Sequence, residues 1–451
     1  MLNEAFCVGF PTAGPGAGVP THGEVRQWNG VGEPMVKVEL NEPGAVCNDG
    51  TPGAMYLRPA PSMVAGAPNS SANRWVIHFK GGGGCRSFAA CRARWCADPS
   101  SRLNNPGLMS TAGTYLETNG SGILSQDLAN PFRSWNHVLL CSWNHVLLYY
   151  CSSDNWVVDQ GRGIAVSHHP DDVGGLHDHQ IAFKGSAIVN AAFARLLSSV
   201  PITLPNGSGV QMPLLQNAEL VLLSGDSAGA GGARMHADRL ADELRDANNP
   251  LGSSLPVLLT LDAGGTPLFD GGFLTWNPVA FPSYLDWLDI IARDQRDFRG
   301  VELVNLDASC VAMAADSNMC YDDRYVQRNH ITTSMFQRND LFDTVANDVF
   351  ISLGLVANQN DYIVATEQDL MAIVPPGIEA RDDIAVFGPL CQEHVSIRNT
   401  VQFTQQVAIL GGLTYAAALA QWVQGCVGGG CPSYAEIAAP VLGGSAGSTC
   451  P

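Results

Sequence analysis

The chain has 451 residues, 46% of them hydrophobic and 15% charged, with a formal net charge of −18. Such a composition is globular, one large α/β domain accommodates the length, and no run of 18 or more apolar residues is present to cross a bilayer as a helix. The acidic balance argues against a nucleic-acid partner, whose phosphates are neutralised by Lys and Arg; its plainest reading is solubility.

Residues 1–35 are rich in Gly and Pro and read as an N-terminal tail that Cys7 pins down. The opening MLNEAFCVGFPTAGPGAG has no basic segment followed by an apolar one, so no secretory signal is legible in it. The 13 cysteines nevertheless lie mostly in Gly-, Pro- and Ser-rich contexts, which points to disulfides and a secreted or extracytoplasmic protein. A monomer is expected.

Residues 36–425 are expected to form the main domain. Two short strand-like runs flank the turn signal Asn48-Asp49-Gly50. RWVIHFKGGGGC then reads as an apolar strand entering four glycines, Gly81 to Gly84. The next stretch, NPFRSWNHVLLCSWNHVLLYYCSSDNW, contains SWNHVLL twice, from Ser134 and from Ser142. An offset of eight residues is far below the roughly 20–50 residue periods of repeat architectures. NHVLLYYC reads as one buried strand, and FKGSAIVNAAFARLLSSV follows with the apolar spacing of a helix face.

ELVLLSG, AGAGGARMHADRLADELRD and VLLTLDAGG continue the alternation of strand and helix, which argues for a largely parallel α/β sheet flanked by helices. DVFISLGLVANQND reads as a further strand with a polar tip, and VQFTQQVAILGGLTYAAALAQWV as helical stretches broken at Gly411-Gly412. Residues 426–451 are expected to be irregular and held by disulfides.

The strongest chemical signal is Gly225-Asp226-Ser227-Ala228-Gly229 between a strand and a helix. A nucleophile elbow needs small residues on both sides of its serine because the turn is tight. The bland alternative is chance in a chain with 48 glycines. A serine nucleophile also needs a base and aimed donors for the oxyanion. Backbone N–H groups of the glycine run, with that of Ala228, fit the donor role. A phosphate-binding loop is the rival, but GGGGCRS lacks the Gly-Lys-Ser/Thr ending; a merely flexible loop remains the other alternative.

In an α/β-hydrolase the acid and then the histidine follow the serine. Of the 11 histidines, His330 and His394 lie far enough downstream to leave room for an acid-bearing strand end. Asp361 ends DVFISLGLVANQND and His394 follows in FGPLCQEHVS, so they are the candidate acid and base, against the reading of solvated loop residues. SHHPDDVGGLHDH gathers imidazoles and carboxylates but shows no recognised zinc-ligand spacing and reads as a surface loop. Neither metal nor cofactor is expected.

In order and spacing, GGGGCRSFAACRAR, NPFRSWNHVLLYYCSSDNW, FKGSAIVNAAFARLL, LLSGDSAGAGGARMHADRL and NQND before LCQEH resemble the pectin acetylesterase family. The resemblance covers roughly residues 36 to 425. It implies a single α/β-hydrolase-like domain, Ser227 as nucleophile, Asp361 as acid, His394 as base, and Gly83, Gly84 and Ala228 around the oxyanion. It further implies a cofactor-free serine carboxylesterase that removes acetyl groups from a polysaccharide such as pectin. The alternatives are an esterase for longer acyl or synthetic aryl esters, and a catalytically impaired glycan-binding relative.

The family pattern has one NPF-to-CSSDNW segment, so about eight residues are surplus. The first copy is expected to bulge as a local duplication, with Cys141 left unpaired. Three positions depart from the pattern: Gly84 stands where a large aromatic is usual, Lys80 where an acid is common, and Asp226 where cysteine often precedes the nucleophile.

Overall fold

The computed structural model describes residues 4–7, 27, 29, 33–60, 63–64, 67–68, 71–99, 105–133, 143–158, 164–168, 178–198, 202–203, 209–210, 212–246, 248–264, 284–303, 306–352, 356–375, 377, 380–409, 411–438 and 450–451. The main sheet is built from β1 (Met35–Leu40), β2 (Gly53–Arg58), β3 (Arg74–Phe79), β4 (Glu117–Thr118), β5 (Asn144–Tyr149), β6 (Leu220–Asp226), β7 (Val257–Asp262), β8 (Met335–Arg338), β9 (Ile384–Gly388) and β10 (Tyr434–Ile437). Their spatial order is β10-β9-β8-β7-β6-β3-β5-β2-β1-β4. From β10 to β5 every neighbouring pair is parallel. The strands beyond β5 pair antiparallel.

The helices are α1 (Phe88–Trp95), α2 (Gly185–Leu197), α3 (Ala228–Asp246), α4 (Tyr284–Arg293), α5 (Ala308–Met313), α6 (Asp323–Asn329), α7 (Thr344–Ser352), α8 (Gln359–Ala372), α9 (Thr400–Gln405) and α10 (Tyr415–Val427). The expected α/β-hydrolase-like, mostly parallel sheet with flanking helices in one domain is therefore present. β6 and β7 are buried along their whole length, which is why they read as unbroken apolar runs rather than alternating ones. Helix α3 packs on β6, β7 and β3, burying Leu240, Ala241 and Leu244.

Two segments differ from the sequence reading. The apolar run in DVFISLGLVANQND is not a strand: residues 344–352 form α7 and residues 359–372 form α8. Periodicity alone does not separate a short buried strand from a buried helix. The strand in this region is instead the four-residue β8, and the C-terminal segment read as irregular supplies the edge strand β10.

Six disulfides join Cys7–Cys96, Cys47–Cys151, Cys85–Cys91, Cys310–Cys320, Cys391–Cys450 and Cys426–Cys431. Cys7 is thereby tied to the end of α1. The second copy of the duplicated heptapeptide supplies β5; the first, with Cys141, lies outside the described residues, as does most of the His/Asp cluster.

The elbow between β6 and α3 requires small residues at specific contacts. A Cβ on Gly229 would sit 2.0 Å from the Phe79 carbonyl oxygen, and one on Gly225 2.2 Å from that of Gly229. Gly229→Ala must push β3 and α3 apart and is expected to lower the unfolding free energy by about 1–3 kcal/mol. Gly430→Ala, with nothing within 4 Å, should stay within about 0.5 kcal/mol of the parent in chemical denaturation.

Candidate active site

Ser227 follows β6 directly and precedes the first residue of α3. Its backbone has φ 51°, a left-handed conformation that is costly for a residue with a Cβ. The turn is held by hydrogen bonds on both sides. The Ser227 N–H donates to the Asp262 carbonyl at 2.8 Å, and the Ser227 carbonyl accepts from Ala230 N–H at 2.9 Å.

His394 comes from the loop after β9. Its Nε2 lies 2.8 Å from Ser227 Oγ, and its Nδ1 2.7 Å from Asp343 Oδ2. A carboxylate only accepts, so Nδ1–H donates to Asp343 and Nε2 is left to accept from the serine hydroxyl. Burial pulls the His394 pKa down, but the hydrogen bond and charge of Asp343 outweigh it, and the net shift is upward.

Asp343 also caps α7: its Oδ1 accepts from Val345 and Ala346 N–H, both at 2.9 Å. One oxygen is thus fixed by a helix start and the other aimed at the histidine, an arrangement that suits a carboxylate near a helix N-terminus.

The structure brings Ser227 and His394 together, whereas Asp361 does not join them. Asp361 sits in the first turn of α8, where its Oδ2 accepts from Asn358 Nδ2 at 2.9 Å and its N–H donates to Asn358 Oδ1 at 3.2 Å. Asn358 is the N-cap of α8, and Asp361 steadies its side-chain amide. The expectation arose because the segment reads as a strand with a polar end. The signal for Asp343 was an Asp immediately before Thr344-Val345-Ala346, an N-cap signature, but β8 before it is short and polar enough to escape notice.

The glycine run follows β3. Gly82 has φ +157° and Gly83 φ +62°, and a Cβ on Gly81 would lie 2.9 Å from Ser227 Cβ. Gly81 therefore passes directly against Ser227, where a side chain would not fit, and the two glycines after it take conformations that favour glycine. Gly81 N–H donates to Asp226 Oδ1 at 3.1 Å. Gly83 lies next in the run, while a Cβ on Gly84 would meet Arg299 Nη2 and the Ser153 carbonyl oxygen, each at 2.8 Å. Ala228 opens α3, so its N–H is among those with no carbonyl one turn earlier.

Behind the serine, Asp226 Oδ1 accepts from Arg398 Nε at 2.6 Å and from His78 Nε2 at 2.8 Å, and Oδ2 from Arg398 Nη2 at 3.0 Å. His78 Nδ1 lies 2.8 Å from Ser224 Oγ. Burial pushes the Asp226 pKa up, but Arg398 and His78 outweigh it and hold the carboxyl well below its usual range. Burial lowers the His78 pKa despite the hydrogen bond and charge of Asp226.

Residues 29–428 match the sequence model of the family described as Pectinacetylesterase. Pectin acetylesterase 4 of Arabidopsis thaliana is 25% identical over 322 residues, 68% of this chain and 60% of that protein. The palmitoleoyl-protein carboxylesterase NOTUM of Drosophila melanogaster is 29% identical over 213 residues, 47% of this chain and 25% of that protein. The human protein of the same name is 29% identical over 205 residues, covering 31% of its length. The matched stretch thus spans between a quarter and a third of these two relatives. Among solved structures, the Wnt deacylase Notum from Drosophila superposes with a TM-score of 0.63 at 21% identity, over 93% of this chain and all of that one; this likeness bears on the fold.

A serine whose proton passes to His394 should react with an organophosphorus probe only when the imidazole is neutral. The rate is expected to rise with pH about a midpoint above the ordinary value of roughly 6.5, since the His394 shift is upward. Asp343→Asn should move the midpoint down and slow the reaction by on the order of 10³- to 10⁴-fold. Asp361→Asn should change neither. A reversed outcome for the two aspartates, read from labelling rate against pH, would return the acid to Asp361.

Proposed function

Because the chain belongs to the pectinacetylesterase family, we propose that it is a serine carboxylesterase that removes short acyl groups, acetyl foremost, from a polysaccharide such as pectin. The observation that carries this reading is the hydrogen-bond chain from Ser227 Oγ through His394 to Asp343, at 2.8 and 2.7 Å. The plant pectin acetylesterase aligns over a larger share of this chain than either NOTUM relative does, which favours an acetylated glycan over an acylated protein. The six disulfides suit a protein that works outside the reducing cytoplasm.

In the proposed reaction His394 Nε2 takes the Ser227 proton as Oγ attacks the ester carbonyl carbon. The carbonyl electrons move to oxygen, and the oxyanion is held by the N–H groups of Ala228 and of the glycines after Gly81, Gly83 and Gly84 included. Collapse expels the sugar alkoxide, which receives the proton from His394. Water then attacks the acyl-enzyme, giving its proton to His394. The serine leaves with that proton, and the free carboxylic acid is released. Asp343 holds the imidazole in the required tautomer and stabilises its charged form.

Hydrolysis of p-nitrophenyl esters from acetate to octanoate, with Ser227→Ala alongside, tests the reading. Turnover is expected to be greatest at acetate and to fall by on the order of 10⁴- to 10⁶-fold in the variant, with acetate released from acetylated pectin by the parent alone. Equal turnover by Ser227→Ala would overturn the nucleophile. A maximum at octanoate would move the substrate to longer acyl chains, and glycan binding without turnover would indicate a binding protein.

A further inference from the structure

Two buried charged residues, Lys80 and Asp226, meet on the same glycine. Asp226 Oδ1 accepts the Gly81 N–H at 3.1 Å, and the buried Lys80 Nζ donates to the Gly81 carbonyl at 3.2 Å. The carbonyl of Lys80 accepts in turn from Trp156 Nε1–H at 3.2 Å. The peptide between Lys80 and Gly81 is therefore held at its C=O by Trp156 and at its N–H by Asp226. The next peptide, between Gly81 and Gly82, is held at its C=O by Lys80.

A trans peptide points its C=O and N–H in opposite directions. Lys80 Nζ lies 5.6 Å from the centre of the Tyr149 ring, at the end of β5. β5 flanks β3 on one side, and β6, which leads to Ser227, flanks it on the other. With the Gly81 carbonyl drawn to Lys80 Nζ, the Gly82 N–H of the same peptide points away from that ammonium.

We propose that Lys80 and Asp226 are positioning residues that aim the Gly82 N–H at the oxyanion formed on Ser227. The inference rests on the esterase reading above. Neither side chain touches substrate; both act through Gly81, and Asp226 is itself held by Arg398 from the segment just beyond His394. One carboxylate thus joins the elbow, the glycine run and the histidine-bearing segment.

The experiment is p-nitrophenyl acetate hydrolysis by the parent, Ser227→Ala, Lys80→Met, Lys80→Gln and Asp226→Asn, with thermal midpoints for each. Complete loss of one oxyanion donor costs about 10²- to 10³-fold in kcat, so a misaimed donor in Lys80→Met is expected to lower kcat by roughly 10- to 10²-fold. KM should change little, because the donor acts on charge that develops after binding. Lys80→Gln, which keeps an N–H donor, should recover part of the loss, and Asp226→Asn should show the same split. If Lys80→Met does not fold, the split in folded Asp226→Asn decides.

Parental kcat in Lys80→Met overturns the proposal. So does a loss that follows the thermal midpoint and that Lys80→Gln does not reverse, because that is a purely structural role. Failure of the esterase reading is distinct: the parent itself would then match Ser227→Ala, and the positioning role would fall with it.

Discussion

The site depends on a buried guanidinium. Arg338, at the end of β8, is paired with Asp262 at the end of β7 and with Asp340 just beyond β8. The same carboxylates hold the histidine loop: Asp262 Oδ2 accepts from Ser396 and Ile397 N–H at 2.7 and 2.6 Å, and Asp340 Oδ1 from Cys391 N–H at 3.0 Å. The guanidinium pairs with both carboxylates and offsets part of the cost of burying them, although burial still pushes the Asp340 pKa up to about 7. Removing one member of such a cluster strands the remaining charge, a loss of about 3–5 kcal/mol for buried pairs. The His394 position is thus set by the ends of two parallel strands rather than by its own loop.

This arrangement explains what the sequence made legible and what it hid. β3, β6 and β7 are apolar because both faces of a parallel sheet are covered, and Ser227 stood out because an elbow imposes glycines at fixed offsets. β8 contributes Gln337 and Arg338 to the interior, so a core strand presents as a polar stretch. Its neighbour, residues 344–352, is rich in Val, Phe and Ile but forms α7. With the two exchanged, the sequence puts Asp361 at a strand end, whereas it lies in the first turn of α8 beside Asn358.

Asp343 was hidden for a related reason. Its local pattern is that of an ordinary N-cap, and it is one. Only the tertiary pairing with His394 reveals the second use of the same carboxylate. Cap and orienter are compatible because the two oxygens point to different donors, and the cap removes the rotational freedom that would otherwise weaken the grip on the imidazole.

The loops around Ser227 are fixed by two kinds of tie. Cys85–Cys91 secures the segment after the glycine run, Cys47–Cys151 the start of the CSSDNW turn, and Cys391–Cys450 the histidine loop. Each bridge limits how far a segment strays, but a disulfide does not orient a particular peptide plane. Orientation comes from the polar contacts: Asp154 gathers the Ser152 hydroxyl with the Trp156 and Gly185 N–H groups, Trp156 then reaches the Lys80 carbonyl, and Asp226 bridges from the elbow to Gly81 and Arg398. Because hydrogen bonds lose strength steeply with angle, it is this inner set, enclosed by the covalent one, that fixes how the peptide planes beside Ser227 are turned.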